Sequence, residues 1–371
     1  MNKPISSLEK VKKIARIFAS PSTVFWTLPW LMVLLFLGTI AQKHMGIYDV
    51  TKIYFSSFIY WIGPIPTPGG LTTIGVLFIA LSIKFFAYSK WSWNRAGTIL
   101  THLGVLVLLL GGLMTAMTSK EGFMIIPEGD SKNTFSDYYQ RELVVKKDGE
   151  IITQFSFNEL SEAQSFTSDN LEISILLKCE NCGAQAPSGT YENLKDLAQN
   201  MELTKLPSLR EKEANLSGFI LGIKNPDNAG QSGTYIVMED IPRSPKLTTK
   251  TNEQIEVLLL RKTTDLPFSI TLNDFRKIDY PGTQKAQGYE SDITVQDGLA
   301  TWPVTVSMNK PYRYRGYTFF QSSFDTIEGR ELTVFTVVDN KGRLFPYIAT
   351  AIMLAGLLLH LIIQIQNRRA S

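Results

Sequence analysis

At 371 residues, with a formal net charge of +3, 44% hydrophobic and 19% charged residues, the chain has the average composition of a soluble protein. The average conceals a split: residues 118–345 carry 25 Lys and Arg against 32 Asp and Glu, a net of −7, while the remainder nets +10. An acidic centre between basic, apolar ends argues against nucleic acid as a partner, because binding it needs a basic face on the folded domain.

In chain order, Leu8, Val11, Ile14, Ala15 and Phe18 recur at helical spacing among lysines. That pattern predicts a short amphipathic helix on an anionic membrane surface, with lipid as its partner. Four apolar runs follow, at about 24–41, 71–86, 97–117 and 346–365, each long enough to cross the hydrocarbon core as a helix. Lys84 sits inside the second run, one turn from its end, where its ammonium can snorkel to the interface. The first run is too long for a secretory signal and continues into GTIAQK without a processing site, so it is expected to remain as an anchor.

Charge orients these spans. Lys3, Lys10, Lys12, Lys13 and Arg16 precede the first, Lys84, Lys90 and Arg95 surround the connection after the second, and Arg368 and Arg369 follow the last. Only Lys43 and Lys52 lie between the first and second. The positive-inside rule therefore places both termini in the cytoplasm and residues 42–70 and 118–345 outside. The expected architecture is an integral membrane α-helical protein of the inner (plasma) membrane, with four transmembrane helices and a large extracytoplasmic, mostly-β domain. Its boundaries are 1–117 for the amphipathic segment and first three spans, 118–345 for the β-rich domain, and 346–371 for the last span and tail.

Two of the three histidines lie within spans. His102 follows Arg95 by seven residues, and His360 precedes Arg368 by eight. Both imidazoles are therefore expected roughly 10 Å inside the cytoplasmic surface, at about 1.5 Å of rise per residue. Equal depth on antiparallel helices fits ligation of one metal or haem centre. The plainer reading is two neutral imidazoles hydrogen-bonded to neighbouring helices. His44, just past the first span, reads as an exposed interfacial side chain. Gly104, Gly111, Gly112 and Gly356 are expected to permit close helix packing.

The exported stretch reads as strand. ELVVKKDGEIITQFSF and DITVQDGLATWPVTVS each place Asp-Gly between β-branched and aromatic runs, a hairpin signal, and GYTFFQSSF and ELTVFTVVD extend the series. A sandwich or barrel follows, with only 188–213 helical or loose. In Asn309–Ser323, Lys310, Arg313 and Arg315 alternate with Tyr312, Tyr314 and Tyr317. This is a strand with one wet face, or a contact surface.

Cys179 and Cys182, in LKCENCGAQ, are the only cysteines. Three uses are open: a small disulfide pinning a turn, thiol exchange, or metal binding. Two soft ligands are too few for a structural zinc site, and Gly183 stands where c-type haem attachment needs a histidine.

Three stretches, FLGTIAQKHMGIYDVTKIYFSSF, THLGVLVLLLGGLMTAMTSKEGFMIIPEGD and NKPYRYRGYTFFQSSFD, resemble the ResB (CcsB) family of System II cytochrome c biogenesis. They flank the exported domain, so the resemblance covers about residues 20–365. It implies a haem-handling assembly factor that is not an enzyme alone but part of a cytochrome c haem lyase complex. Its implied partners are a CcsA-like membrane protein and apocytochrome c, and its implied cofactor is a transiently held haem b, bound either by His102 and His360 together or by one of them and a histidine of the partner. His102 lies within the second stretch and is the stronger of the two axial-ligand candidates; Lys84, Lys90 and Arg95 are at a suitable depth for the propionates. The competing functions are a b-type haem electron carrier, which would need haem in both leaflets, and a cofactor-free receptor or transporter accessory.

Overall fold

The structure is a computed structural model that describes residues 7–370 apart from 242, 284 and 328. Lys3 and the side chains of Leu8, Val11 and Arg369, which enter the charge and periodicity arguments, lie outside the described residues. The chain divides at Ser119 and Val338 into two compact units, one built from both chain ends and the other from Lys120–Val338.

The first unit is helical. Helix α1 covers Ser7–Phe18, α2 Pro21–Ala41, α3 Ile47–Val50, α4 Gly70–Ile83, α5 Ala96–Thr118 and α6 Phe345–Ala370. Ser20 caps α2 by accepting from the amide of Ser22, and Pro21 occupies the first turn, where its missing N–H costs nothing. A π-turn, Lys84–Tyr88, continues α4, and a 3-10 turn, Trp93–Arg95, leads into α5. Four segments, Pro21–Ala41, Gly70–Tyr88, Trp93–Thr118 and Phe345–Arg368, are long and apolar enough to cross a membrane, as the four apolar runs require. Each exceeds its apolar run by a few residues, because the hydrogen-bond ladder continues through polar residues until a cap or turn ends it. Lys84 opens the π-turn with its side chain exposed.

The second unit is strand-rich. Its main sheet has ten strands. The order runs Ala300–Ser307, Ala286–Asp297, Gln254–Asp279, Ser131–Lys147, Lys120–Pro127, Arg330–Asp339, Tyr317–Ile327 and Tyr312–Tyr314, with Lys246–Thr248 and Glu150–Ser156 attached to the two long strands. A four-stranded sheet (Gly233–Met238, Gly218–Lys224, Leu171–Cys179, Ser165–Ser168) packs on one half of it. Strand Gln254–Asp279 serves two cores. Its early inward residues Ile255, Val257 and Leu259 join Phe219, Leu221 and Ile173 beneath the smaller sheet. Its later ones, Leu266, Phe268, Ile270, Leu272 and Phe275, join Phe319 and Phe335 in a second, aromatic core.

Both Asp-Gly signals form hairpins. Asp148 and Gly149 turn with φ of 47° and 88°, as a two-residue type I′ loop requires. In the second, Asp297 pairs with Ala300, so Gly298 and Leu299 form the loop. The 188–213 stretch holds 3-10 turns at Asp196–Gln199 and Lys212–Ala214, but also a strand, Glu202–Lys205, paired with Cys182–Gln185. That strand is only four residues long and mostly polar. Its partner far back in the chain, and not its own periodicity, makes it extended.

Where the two cores meet, Arg141 and Arg261 lie opposite each other across neighbouring strands, a like-charge pairing that would destabilise the sheet if left alone. Buried Glu239 resolves it. Arg141 Nε donates to Glu239 Oε2 at 2.7 Å, and Arg261 pairs with the other carboxylate oxygen. The terminal guanidinium nitrogens donate to the carbonyls of Tyr138, Tyr139, Glu213 and Asn215. Removing one partner from a buried ion cluster leaves uncompensated charge. Glu239→Ala is accordingly expected to destabilise this unit by about 3–5 kcal/mol, read from hydrogen exchange of the strand amides. A loss below about 1 kcal/mol, the size of a surface pair, would show that the cluster carries no structural weight.

Candidate functional site

The site begins with a seam between α5 and α6. Gly97, Gly104 and Gly111 recur every seven residues, close to two helical turns, and so share one face of α5. A Cβ on Gly97 would fall 2.4 Å from the backbone nitrogen of His360, and one on Gly104 would fall 2.9 Å from the Ala349 carbonyl. One on Gly111 would fall 2.2 Å from Cβ of Phe345. From the other side, a Cβ on Gly356 would meet the amide of Thr101 at 2.6 Å. The order of these contacts makes the helices antiparallel. Gly112, also expected to serve packing, faces open space with nothing within 4 Å. One residue is about 100° of helical rotation, enough to carry it off the seam. Gly97 joins the seam beyond the four glycines expected from sequence, and its seven-residue spacing from Gly104 is the signal that marks it.

The seam brings the two intramembrane histidines to a common neighbour. His102 Nδ1 lies 2.7 Å from the carbonyl of Thr98, one turn earlier in α5. His360 Nδ1 lies 3.4 Å from the Thr98 hydroxyl. A carbonyl can only accept, so Nδ1 of His102 is the donor, and in the neutral ring Nε2 is then the nitrogen with the lone pair. Metal-bound histidines are commonly fixed in this way, through the nitrogen that does not bind. His102 is exposed and His360 half-buried. Because Gly97 packs directly on the His360 backbone, no planar ligand fits between the helices there.

Among the described residues, no three His, Cys, Asp or Glu side chains gather closely enough to hold a metal ion. The connection leading into α5 supplies exposed Lys84, Lys90 and Arg95, together with exposed Phe86, Trp91 and Trp93. Trp91 is braced edge-on by buried Phe85, with ring centroids 5.3 Å apart. His44 is exposed past the end of α2, at the other end of the spans.

Cys179 and Cys182 are joined by a disulfide with Cα atoms 5.4 Å apart. Both are buried in a small core with Leu203, Ile220 and Ile236. The bond ties strand Leu171–Cys179 to Cys182–Gln185, and the apolar cover shields its sulfurs from an attacking thiolate. In the tyrosine- and arginine-rich segment, Tyr312, Tyr314 and Tyr317 pack against the aromatic core, while Arg313 and Arg315 are exposed. The chain turns at Arg315 and Gly316, both with positive φ. Arg315 pairs with Asp297 at 2.7 Å, and the Tyr314 hydroxyl donates to the same carboxylate. Burial pushes the Tyr312 hydroxyl above its ordinary pKa, so it stays neutral as the acceptor for Trp302 Nε1. A separate cleft of about 740 Å³, within the size range of ligand sites, is lined by Phe123, Met238, Glu239, Leu258, Leu260 and Arg261.

The family model described as the ResB-like family matches residues 85–170 and 218–335, together more than half of the chain. The first matched block contains Gly97, Thr98 and His102; Cys179, Cys182 and His360 lie outside both. The chain is also similar to Protein NrfI of Wolinella succinogenes, at 24% identity over 304 residues. That alignment covers 78% of this chain and 30% of the relative, so the chain spans less than a third of the length of the curated protein it matches.

The packing makes two neighbouring-type substitutions diverge. Gly97→Ala forces a methyl into backbone and is expected to destabilise the α5–α6 pair by about 1–3 kcal/mol. Gly112→Ala meets open space and should be neutral, or more stable by up to about 1 kcal/mol through helix propensity. Detergent-micelle unfolding with increasing dodecyl sulfate measures both, and equal effects would contradict the seam.

Proposed function

The chain belongs to the ResB-like family, and from that premise we propose that it acts in cytochrome c biogenesis. In this reading it is the haem-handling membrane subunit that, with a CcsA-like partner, delivers haem to exported apocytochrome c. The observation that carries the haem reading is the meeting of His102 and His360 at Thr98. Haem, when bound, supplies the iron and the macrocycle that ends attached to the cysteines of the exported cytochrome.

The protein's own residues hold and orient it. The Thr98 carbonyl holds Nδ1–H of His102, so Nε2 would be the nitrogen that binds the haem iron. His360, whose Nδ1 lies 3.4 Å from the Thr98 hydroxyl, is the second imidazole assigned to the site. Lys84, Lys90 and Arg95 provide cations for the propionates, and the exposed aromatic rings of Phe86, Trp91 and Trp93 provide apolar surface for the porphyrin faces. The exposure of His102 leaves its outward side accessible to a membrane partner. The β-rich unit is then the exported scaffold that faces the apocytochrome, and the host bilayer is the plasma membrane with both chain termini cytoplasmic, as the positive-inside rule directs.

Two measurements test this reading. Deletion should abolish covalent haem staining of exported c-type cytochromes while b-type cytochromes persist, and the wild-type chain should restore it. Complementation by His102→Gly or His360→Gly should fail, purified variants should lose haem absorbance, and added imidazole should recover both by entering the vacated position. Normal staining in the deletion strain rejects the function, and wild-type haem content in His102→Gly without imidazole rejects the ligand. Topology is read by an impermeant maleimide added to intact cells. It should modify Leu209→Cys and spare Asn94→Cys, and the reverse pattern would put the β-rich unit in the cytoplasm.

A further inference from the structure

Between Lys52 and Lys84 the chain carries no charged residue, and this stretch includes a β-hairpin, Ile59–Ile62 paired with Ile65–Pro68. The hairpin exposes an unusual set of side chains. Phe58, Ile59, Trp61, Ile62 and Ile65 are between 43% and 72% exposed, on both faces of a two-stranded ribbon. In water, a ribbon this apolar would be an aggregation hazard.

Its anchoring places it beside a span. Trp30 Nε1 donates to the carbonyl of Pro68 at 2.8 Å, and Trp30 lies in mid-α2, eleven residues before Ala41. That separation is roughly 16 Å of helix, so the base of the hairpin is held alongside α2 and not beyond its end. The segment before it is held as closely. A Cβ on Gly38 of α2 would strike the ring of Phe55, and one on Gly70, at the start of α4, would strike the Phe55 carbonyl. The chain from Ile47 to Phe58 therefore turns back along α2 before the hairpin begins.

The sequence of the hairpin fits a place without water. The carbonyl of Pro68 points out of the ribbon towards Trp30, so residues in phase with it, Pro66 included, direct their backbone groups outward. Proline has no N–H, and that edge therefore presents no unpaired donor at either position. The turn, Gly63–Pro64, lacks a donor at Pro64 as well, and the Phe58 carbonyl at the base accepts from Gly69 and from the Thr72 hydroxyl. Unpaired backbone donors are what the bilayer interior does not tolerate. On the opposite strand the residues in the same phase are Ile59 and Trp61, so the outward donors left on the ribbon are those two N–H groups.

We propose that Ile59–Pro68 is a re-entrant hairpin seated in the membrane, with Trp61, Ile62 and Ile65 in contact with lipid. Spin labelling tests this on the full chain in proteoliposomes. Its two native cysteines are consumed by the buried disulfide, so Trp61→Cys and, separately, Ile65→Cys can be labelled selectively. Both labels are expected to collide with oxygen more often than with a water-soluble nickel chelate, matching a label at exposed Leu35 within the apolar helix α2 and differing from one at exposed Ile151 of the β-rich unit. Labels that behave like Ile151 would put the hairpin in water, and labels shielded from both relaxants would show it covered by protein. Either result overturns the proposal. Retained oligomer-free elution and helix content in the two variants separate this outcome from misfolding.

Discussion

The close approach of α5 to α6 is the constraint from which the rest of the membrane unit follows. Lipid tails are as apolar as leucine, so two spans gain little by hiding side chains from solvent and associate instead through packing and hydrogen bonds. Packing improves as backbones approach, and they approach only where no side chain intervenes. Gly97, Gly104 and Gly111 on one helix and Gly356 on the other provide that line. At the far end of the seam, the Thr115 hydroxyl donates to the side-chain oxygen of Asn340 at 3.0 Å, and Gly342 packs on Thr115. The register is thus held at both ends. Only in this register does Thr98 reach His360 with its hydroxyl while holding His102 with its carbonyl.

The β-rich unit solves a related problem by different means. Its first strand, Lys120–Pro127, and its last, Arg330–Asp339, are neighbours in the main sheet, as α5 and α6 are neighbours in the helical unit. Each unit therefore brings together segments that are far apart in sequence. The long strand Gln254–Asp279 then makes one body of two cores, and Arg141, Glu239 and Arg261 sit where the strand passes from one core to the other. A wholly apolar junction would be at least as stable in principle. The ion cluster instead fixes which residues face each other across two long strands, since a shift by one residue would turn each guanidinium to the opposite face.

The histidine geometry links packing to the proposed chemistry. A neutral imidazole offers one lone pair, and which nitrogen carries it depends on what the other nitrogen touches. Thr98 makes that choice for His102. The same residue contributes to both histidines because its carbonyl and its hydroxyl leave the helix in different directions. The proline-edged hairpin beside α2 answers the same absence of water: where donors cannot be satisfied, the sequence omits them.

Sequence alone determined the four spans, since length and hydropathy are local properties that bilayer thickness reads directly. It determined the Asp-Gly hairpins, whose turn residues are chosen by φ and not by distant contacts. Helical rise converts residue number into height, and in the packed pair the backbone of His360 lies level with Gly97, more than a turn of α5 before His102. Rotation about the helix axis was not legible. Which face each helix turns to the other is settled by shape, so Gly97 and Thr98 entered the site and Gly112 left it. The pairing of Glu202–Lys205 with Cys182–Gln185, the placement of Glu239 between two arginines, and the burial of the cysteine pair likewise depended on residues distant in the chain. Composition and periodicity carry height and face polarity along one element, whereas contact between elements is an agreement between two surfaces, and only the folded chain contains both.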